Sequence, residues 1–273
     1  MGKVLKISEL PSIIEKFSLK GKKAFVTGAA GGIGRSSAAA MAELGADVAI
    51  MDIQPKEQQL KECAKDISER YGIRVLPIVG DVSDEASVIK MYDEIVKEFG
   101  TIDIVHSNAG IGTMDDNCDI SLESWNKMLA VNQTGMLLIA RTGANIMKEH
   151  GHGGSIIITA SMSASIVNKF PANNLTMVAY TATKAAVEHM TKALAINYVE
   201  HGIRINSISP GYILSGLHDQ LPKEFLDFTS STVPMQRYGT LDEIVGVIAL
   251  LATDLSSYMT GSDVIADGGY TIW

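Results

Sequence analysis

Val-Thr-Gly-Ala-Ala-Gly-Gly-Ile-Gly, residues Val26 to Gly34, is the stretch whose reading decides the fold of this chain. Before it, Lys22–Thr27 (KKAFVT) has the apolar composition of a buried strand. After it, Arg35 to Leu44 has helical composition and stops at Gly45, a suitable C-cap. A glycine-rich turn has meaning in that context. Gly28, Gly32 and Gly34 let the backbone turn tightly and approach a pyrophosphate, and the free N–H groups at the start of the following helix hold the anion. A second apolar run, Asp47–Met51, closes with Asp52, about 20 residues on, where an acid bonds adenosine ribose hydroxyls.

Outward from this unit, strands and helices alternate. Lys56–Tyr71 reads as a charged helix and Ile73–Val79 as a strand followed by Asp81. Asp84–Phe99 reads as an amphipathic helix with Ser83 as its N-cap, and Ile102–His106 as the fourth strand. Leu122–Met147 (helix), Ser155–Thr159 (strand), Val178–Glu200 (helix), Ile203–Ser209 (strand), Leu241–Ala252 (helix) and Val264–Ala266 (strand) complete the pattern. This alternation predicts an α/β protein: one Rossmann-type domain, a doubly wound parallel sheet of about seven strands. The domain spans residues 21–273 and follows a lead-in, residues 1–20. Leu10, Ile13, Ile14 and Phe17 place a short amphipathic helix in that lead-in, either packed on the body or clasping another subunit.

Composition narrows the function classes. The formal net charge is −8 with no basic block, which speaks against nucleic acid as a partner. Hydrophobic residues make up 46% of the chain, enough for a large core. Cys63 and Cys118 lie in different segments without a CxxC pairing, so free thiols in a reducing compartment are expected, with no disulfide framework and no zinc site. No apolar run is long enough to span a bilayer and the N-terminus lacks a signal-peptide core, so a soluble cytoplasmic protein is expected.

Tyr180 and Lys184 (YTATK) are spaced to share one helix face. A free tyrosine, with a pKa of about 10, is a poor base at neutral pH, and a nearby ammonium favours the phenolate. A drop of ~3 units would need ~4 kcal/mol of differential stabilisation. Tyr180 would then be a general base for alcohol oxidation and a general acid for ketone reduction. Ser161 follows the strand Ser155–Thr159, where its hydroxyl can bond a substrate oxygen, with Ser163 and Ser165 as competitors. His150 and His152 read as a solvated turn, and no metal site is expected.

From about Leu19 to the C-terminus the sequence resembles the short-chain dehydrogenase/reductase family. TGAAGGIG matches its TGxxxGxG, Asp81-Val82 its acid–apolar pair, Asn108-Ala109-Gly110 its NAG element and Pro210-Gly211 its PG turn, although Ser107 replaces a common Asn. The resemblance implies cofactor contacts at Gly28, Gly32, Ile33, Gly34, Asp52, Ile53, Asp81, Val82, Asn108, Ala109, Gly110, Tyr180, Lys184, Pro210, Gly211, Ile213 and Ser215. It implies a catalytic set of Asn132, Ser161, Tyr180 and Lys184, and favours Ser161 over Ser163, which becomes a second substrate contact. In the family, Asn132 interrupts a helix and holds a water in a proton relay, and Lys184 holds the nicotinamide ribose. A homotetramer built from the two long helices and the C-terminal strand is also implied.

Asp52 would repel a 2′-phosphate and Ile53 and Gln54 supply no cation, so the expected cofactor is NAD(H). The Ser161–Tyr180 gap is longer than the family's usual one. The extra segment Asn168–Met177, with Asn173, Asn174 and Phe170, is expected at the mouth of the site. A lid is expected around 214–234, where Leu217, Leu221, Phe225 and Phe228 have near-helical spacing. SMSASIVN and DGGYTIW resemble family members that act on polyols and ketoses, and polar pockets reward hydroxyls strongly. A hydroxysteroid or other bulky secondary alcohol is the alternative substrate, an acyl thioester a third, and a non-catalytic dinucleotide sensor the alternative of another class.

Overall fold

The computed structural model describes residues 6–7, 10–113, 116–168, 170, 176–216 and 221–273. Its centre is a seven-stranded sheet in the order β3-β2-β1-β4-β5-β6-β7, every pair parallel. The strands are β1 (Lys23–Thr27), β2 (Asp47–Asp52), β3 (Val75–Val79), β4 (Ile104–Ser107), β5 (Gly154–Thr159), β6 (Ile203–Pro210) and β7 (Asp263–Ala266). The middle strands are buried on both faces because helices cover both, as parallel crossovers require. One face packs under α2 (Gly32–Glu43), α3 (Glu57–Tyr71) and α9 (Leu241–Ala252), with Met41, Leu60 and Ile248 fully buried. The other packs under α4 (Glu85–Phe99), α6 (Met136–His150) and α7 (Val178–Tyr198), with Ile95, Ile139 and Val187 fully buried. Helix α8 (Lys223–Ser231) lies in the β6-to-α9 connection, and α1 (Ile13–Lys16) and α5 (Leu122–Leu129) are short.

Three local expectations change. Asp84, rather than Ser83, caps α4, accepting from the N–H groups of Ala86 and Ser87. Ser83 is turned away, donating its N–H and hydroxyl to Asp81 Oδ1 at 2.8 and 2.6 Å. The expected helix from Leu122 to Met147 is interrupted by a π-turn over Ala130–Gly135, which divides it into α5 and α6. The lead-in helix does not pack its apolar residues on the body: Ile13 and Ile14 are 61% and 75% exposed.

Strand order reverses between β1 and β4, and the carboxyl ends of that pair form the crevice where open α/β sheets take ligands. Gly28 and Gly34 permit the turn at this point. A Cβ on Gly34 would strike the Gly28 carbonyl oxygen and lie 2.8 Å from Asn108 Nδ2, whereas one on Gly31 would meet nothing within 4 Å. Gly34→Ala should therefore lose about 1–3 kcal/mol from overpacking against fixed backbone. Gly31→Ala should unfold like the parent. Urea denaturation of the two variants checks the contrast.

Candidate active site

The first turn of α2 is built to hold an anion. Its N-cap, Gly31, offers no side chain, and no acidic residue occupies the turn. The first turns of α4, α5 and α9 are instead capped by Asp84, Ser121 and Thr240. The N-cap of α2 thus gives its first donors no side-chain acceptor, and the space above Gly31 is open. Gly28 and Gly32 adopt φ values of +68° and +54° to make the turn. Asp52 stands beside it, 6% exposed, its Oδ2 accepting from Ala30 N–H at 3.0 Å and its Oδ1 from Ile53 N–H at 2.9 Å. These residues fit a dinucleotide: an uncapped helix start for the pyrophosphate and a fixed carboxylate for a ribose.

The remaining residues matched to the cofactor line the same end of the sheet. Thr27 Oγ1 accepts from the N–H groups of both Asn108 and Ala109, at 3.0 Å each, so β4 is stitched to β1 just below the crevice. Gly110 lies between Asn132 and Lys184: a Cβ there would be 3.4 Å from Asn132 Oδ1 and 3.7 Å from Lys184 Nζ. Val82 is buried against Gly135 and Ile33 packs on the core. The space at Gly211 is closed by Asp267, while Ser215 approaches Gly32 across the mouth. Ile213 bridges to Gly239 after β6 ends at Pro210.

Ser161, Tyr180 and Lys184 converge. Ser161 follows β5, is 7% exposed and hydrogen-bonds the Tyr180 phenol. Lys184 is 2% exposed, its Nζ donating to the Thr159 carbonyl at 2.7 Å and lying 5.6 Å from the Tyr180 ring centroid. Burial, the dominant influence, pushes both groups towards their neutral forms: Lys184 falls to about 7, and Tyr180 rises above its ordinary value, opposed by the Ser161 hydrogen bond. The simple expectation of a phenol lowered by its neighbouring ammonium is therefore not met: burial of the phenol, opposed only by the Ser161 hydrogen bond, holds it above its ordinary value.

Asn132 sits in the π-turn, fully buried. Its Oδ1 accepts from Ile111 N–H and its Nδ2 donates to the Ile111 carbonyl, both at 2.8 Å, which clamps the loop after Gly110 to the helix interruption. Ser163 is 4% exposed and its hydroxyl donates to Asn168 Oδ1 at 2.6 Å. Asn168 Nδ2 donates in turn to Tyr212 Oη at 3.1 Å. Phe170 stacks on Phe225 of α8, with ring centroids 5.6 Å apart. Asn173, Asn174 and Leu217 lie outside the described residues. His150 and His152 are not merely solvated; both rings bond the Thr101 hydroxyl, at 2.8 and 2.7 Å.

Asp116 carries a role invisible in the sequence. It is fully buried, and its carboxylate accepts from the N–H groups of Ala179 at 2.8 Å and Tyr180 at 2.9 Å. The start of α7 is thus capped from a remote loop, and the backbone of Tyr180 is held by that cap. Met177, the N-cap position of α7, makes no side-chain cap bond and adopts a left-handed φ of +54°.

Comparison with known proteins agrees with this geometry. A family model described as enoyl-(acyl carrier protein) reductase matches residues 28–271. A sorbose reductase of Candida albicans is 40% identical over 97% of this chain and 93% of its own length. A mannitol dehydrogenase of Alternaria alternata, named NADP-dependent, is 36% identical over 98% and 99%. The crystal structure of a short-chain type dehydrogenase/reductase from Mycobacterium marinum superposes with a TM-score of 0.90 at 40% identity, covering 96% of this chain and all of that one. The fold and site thus define a dinucleotide-dependent oxidoreductase of alcohol and ketone groups. The chain belongs to the short-chain dehydrogenase/reductase family.

Asp116→Ala should cost about 0.5–2 kcal/mol of stability through the lost cap. It should lower turnover while leaving dinucleotide affinity near that of the parent, since the cap touches α7 and not α2. Urea unfolding, initial rates and NADH titration together test this.

Proposed function

We propose that the protein interconverts a secondary alcohol of a polyol and the corresponding ketose with NAD(H). The convergence of Ser161, Tyr180 and Lys184 beside the β1–β4 crevice carries the reading. Bound there, the nicotinamide would supply the hydride chemistry. Tyr180 moves the proton of the substrate hydroxyl, as base in oxidation and as acid in reduction. Ser161 bonds the substrate oxygen and steadies the charge that develops on it. Lys184 orients the cofactor ribose and Asn132 holds the loop that follows Gly110.

The polyol assignment rests on the polar wall next to Ser161, the Ser163–Asn168–Tyr212 hydrogen-bond chain, and on the names of the Candida and Alternaria relatives. The Phe170–Phe225 stack favours the second reading, a bulky apolar secondary alcohol held under a lid at 214–234. NAD(H) is supported by Asp52, whose carboxylate is fixed by two backbone N–H groups where a 2′-phosphate would meet like charge; Lys56 Nζ, at 3.9 Å, opposes it. The NADP-dependence in the Alternaria name makes this the point to measure. A cytoplasmic homotetramer joined along α5–α6, α7 and β7 is part of the same reading. Ile196, Ile272 and Trp273, each at least 74% exposed, are the apolar residues it would cover.

NADH formation is measured with sugar alcohols, steroids and simple secondary alcohols, and repeated with NADP+. Polyol turnover with NAD+ is the expected result; turnover of steroids alone, or kcat/KM for NADP+ equal to that for NAD+, overturns the corresponding half of the assignment. Tyr180→Phe should reduce turnover by about 10²–10⁴-fold and leave NADH binding intact; equal activity removes the mechanism.

The pH dependence follows from the direction of the Tyr180 shift. A phenol held above its ordinary value stays protonated at neutral pH, so ketone reduction should be flat there and fall only in alkali. Alcohol oxidation needs the phenolate and should rise with pH over the same range. Initial rates in both directions against pH check the opposite slopes.

A further inference from the structure

Beneath the crevice a chain of buried polar side chains crosses the sheet. Ser37 on α2 and His106 on β4 are both fully buried, and Ser37 Oγ lies 2.8 Å from His106 Nδ1. His106 Nε2 lies 2.9 Å from Thr159 Oγ1 at the end of β5. Thr159 Oγ1 is 3.1 Å from Asn108 Oδ1, and Asn108 Nδ2 is 3.0 Å from the Thr27 carbonyl. An imidazole in the middle of a parallel sheet costs free energy unless every polar atom around it is paired. Among the described residues none of the buried side-chain nitrogens or oxygens lacks a partner.

The direction of every bond is fixed by its last member. A carbonyl only accepts, so Asn108 must turn its NH2 to Thr27 and its oxygen to Thr159. That oxygen also only accepts, so the one proton of the Thr159 hydroxyl is committed to it. The Thr159 oxygen must then accept from His106, whose proton lies on Nε2. Burial keeps the imidazole neutral, its pKa down to about 3, so Nδ1 is bare and accepts from the Ser37 hydroxyl. The chain runs one way, from Ser37 through His106, Thr159 and Asn108 to Thr27.

We infer that His106 is a positioning residue: its Nε2 proton orients the Thr159 hydroxyl, which fixes the Asn108 amide against the glycine turn that holds the dinucleotide. This rests on the reading of that turn as the cofactor cradle. Asn108 Nδ2 would lie 3.1 and 2.8 Å from Cβ atoms on Gly28 and Gly34, so the amide is packed directly on the turn. Flipped, it would set its oxygen against the Thr27 carbonyl, and the turn would have to open. The same Thr159 presents its carbonyl to Lys184 Nζ, so the relay joins the cradle to the strand that carries Ser161.

Two measurements test the relay. In the first, ring-15N histidine spectra of the free protein should show His106 as the Nε2–H tautomer, unchanged across about pH 5–8. An Nδ1–H tautomer, or titration in that range, overturns the proposal whatever the protein binds. In the second, NADH titration compares two variants. His106→Gln places an amide nitrogen near the position of Nε2 and should bind within about threefold of the parent; His106→Asn places its oxygen near Nδ1, leaves Thr159 without a donor and should weaken binding about tenfold or more. Equal loss in both variants overturns the positioning role. Should His106→Asn fail to fold, Thr159→Val is expected to show the same weakening and Thr159→Ser to restore affinity; Thr159→Val binding like the parent overturns it. A parent protein that binds no NADH would remove the cradle reading instead, while the tautomer measurement would still decide the relay.

Discussion

Thr27 Oγ1, accepting two backbone N–H bonds from the turn after β4, is the contact on which the rest of the structure depends. It extends the β1–β4 ladder past the carboxyl ends of the two strands, at the reversal of strand order. Two loops of different chemistry are thereby set edge to edge. One is the glycine turn that starts α2; the other leads through Gly110 and Ile111 to the amide of Asn132. Small residues are required because backbone meets backbone: a Cβ on Gly34 would overlap the Gly28 carbonyl oxygen.

From that seam the site is assembled by side chains that bond main chain. Asn132 clamps Ile111, Lys184 bonds the Thr159 carbonyl, Asp116 holds the N–H groups of Ala179 and Tyr180, and Asp52 holds those of Ala30 and Ile53. Each bond ties a side chain from one element to the backbone of another or to the turn beside it. Such contacts fix position better than pairs of flexible side chains, because the backbone of a buried parallel sheet has little freedom. The burial that gives this rigidity also governs the electrostatics, since desolvation moves both Tyr180 and Lys184 towards their neutral forms.

Ahead of this frame two groups of side chains flank Ser161. Ser163, Asn168 and Tyr212 form a polar wall next to Ser161, while Phe170 and Phe225 join the segment after β5 to α8 by an aromatic stack. Tyr212 also packs edge-on against Tyr270, so the C-terminal turn buttresses the same wall.

The sequence by itself determined the layered α/β architecture, because the alternation of apolar runs with amphipathic stretches is a local property of the chain. It also located the glycine turn, Asp52 and the Tyr180–Lys184 spacing, since each is a short-range pattern whose chemistry depends on neighbours a few residues away. Only the tertiary structure decided the roles of Asp116 and His106. Asp116 reaches Tyr180 across 64 positions of sequence, and His106 reaches Ser37 across 69 and Thr159 across 53. Nothing local marks an aspartate in a loop as the cap of a distant helix, or a histidine in a strand as the centre of a relay. The Tyr180 shift was set at the same level: spacing shows which charges are near, but the desolvation that raises the phenol comes from its burial in the folded protein.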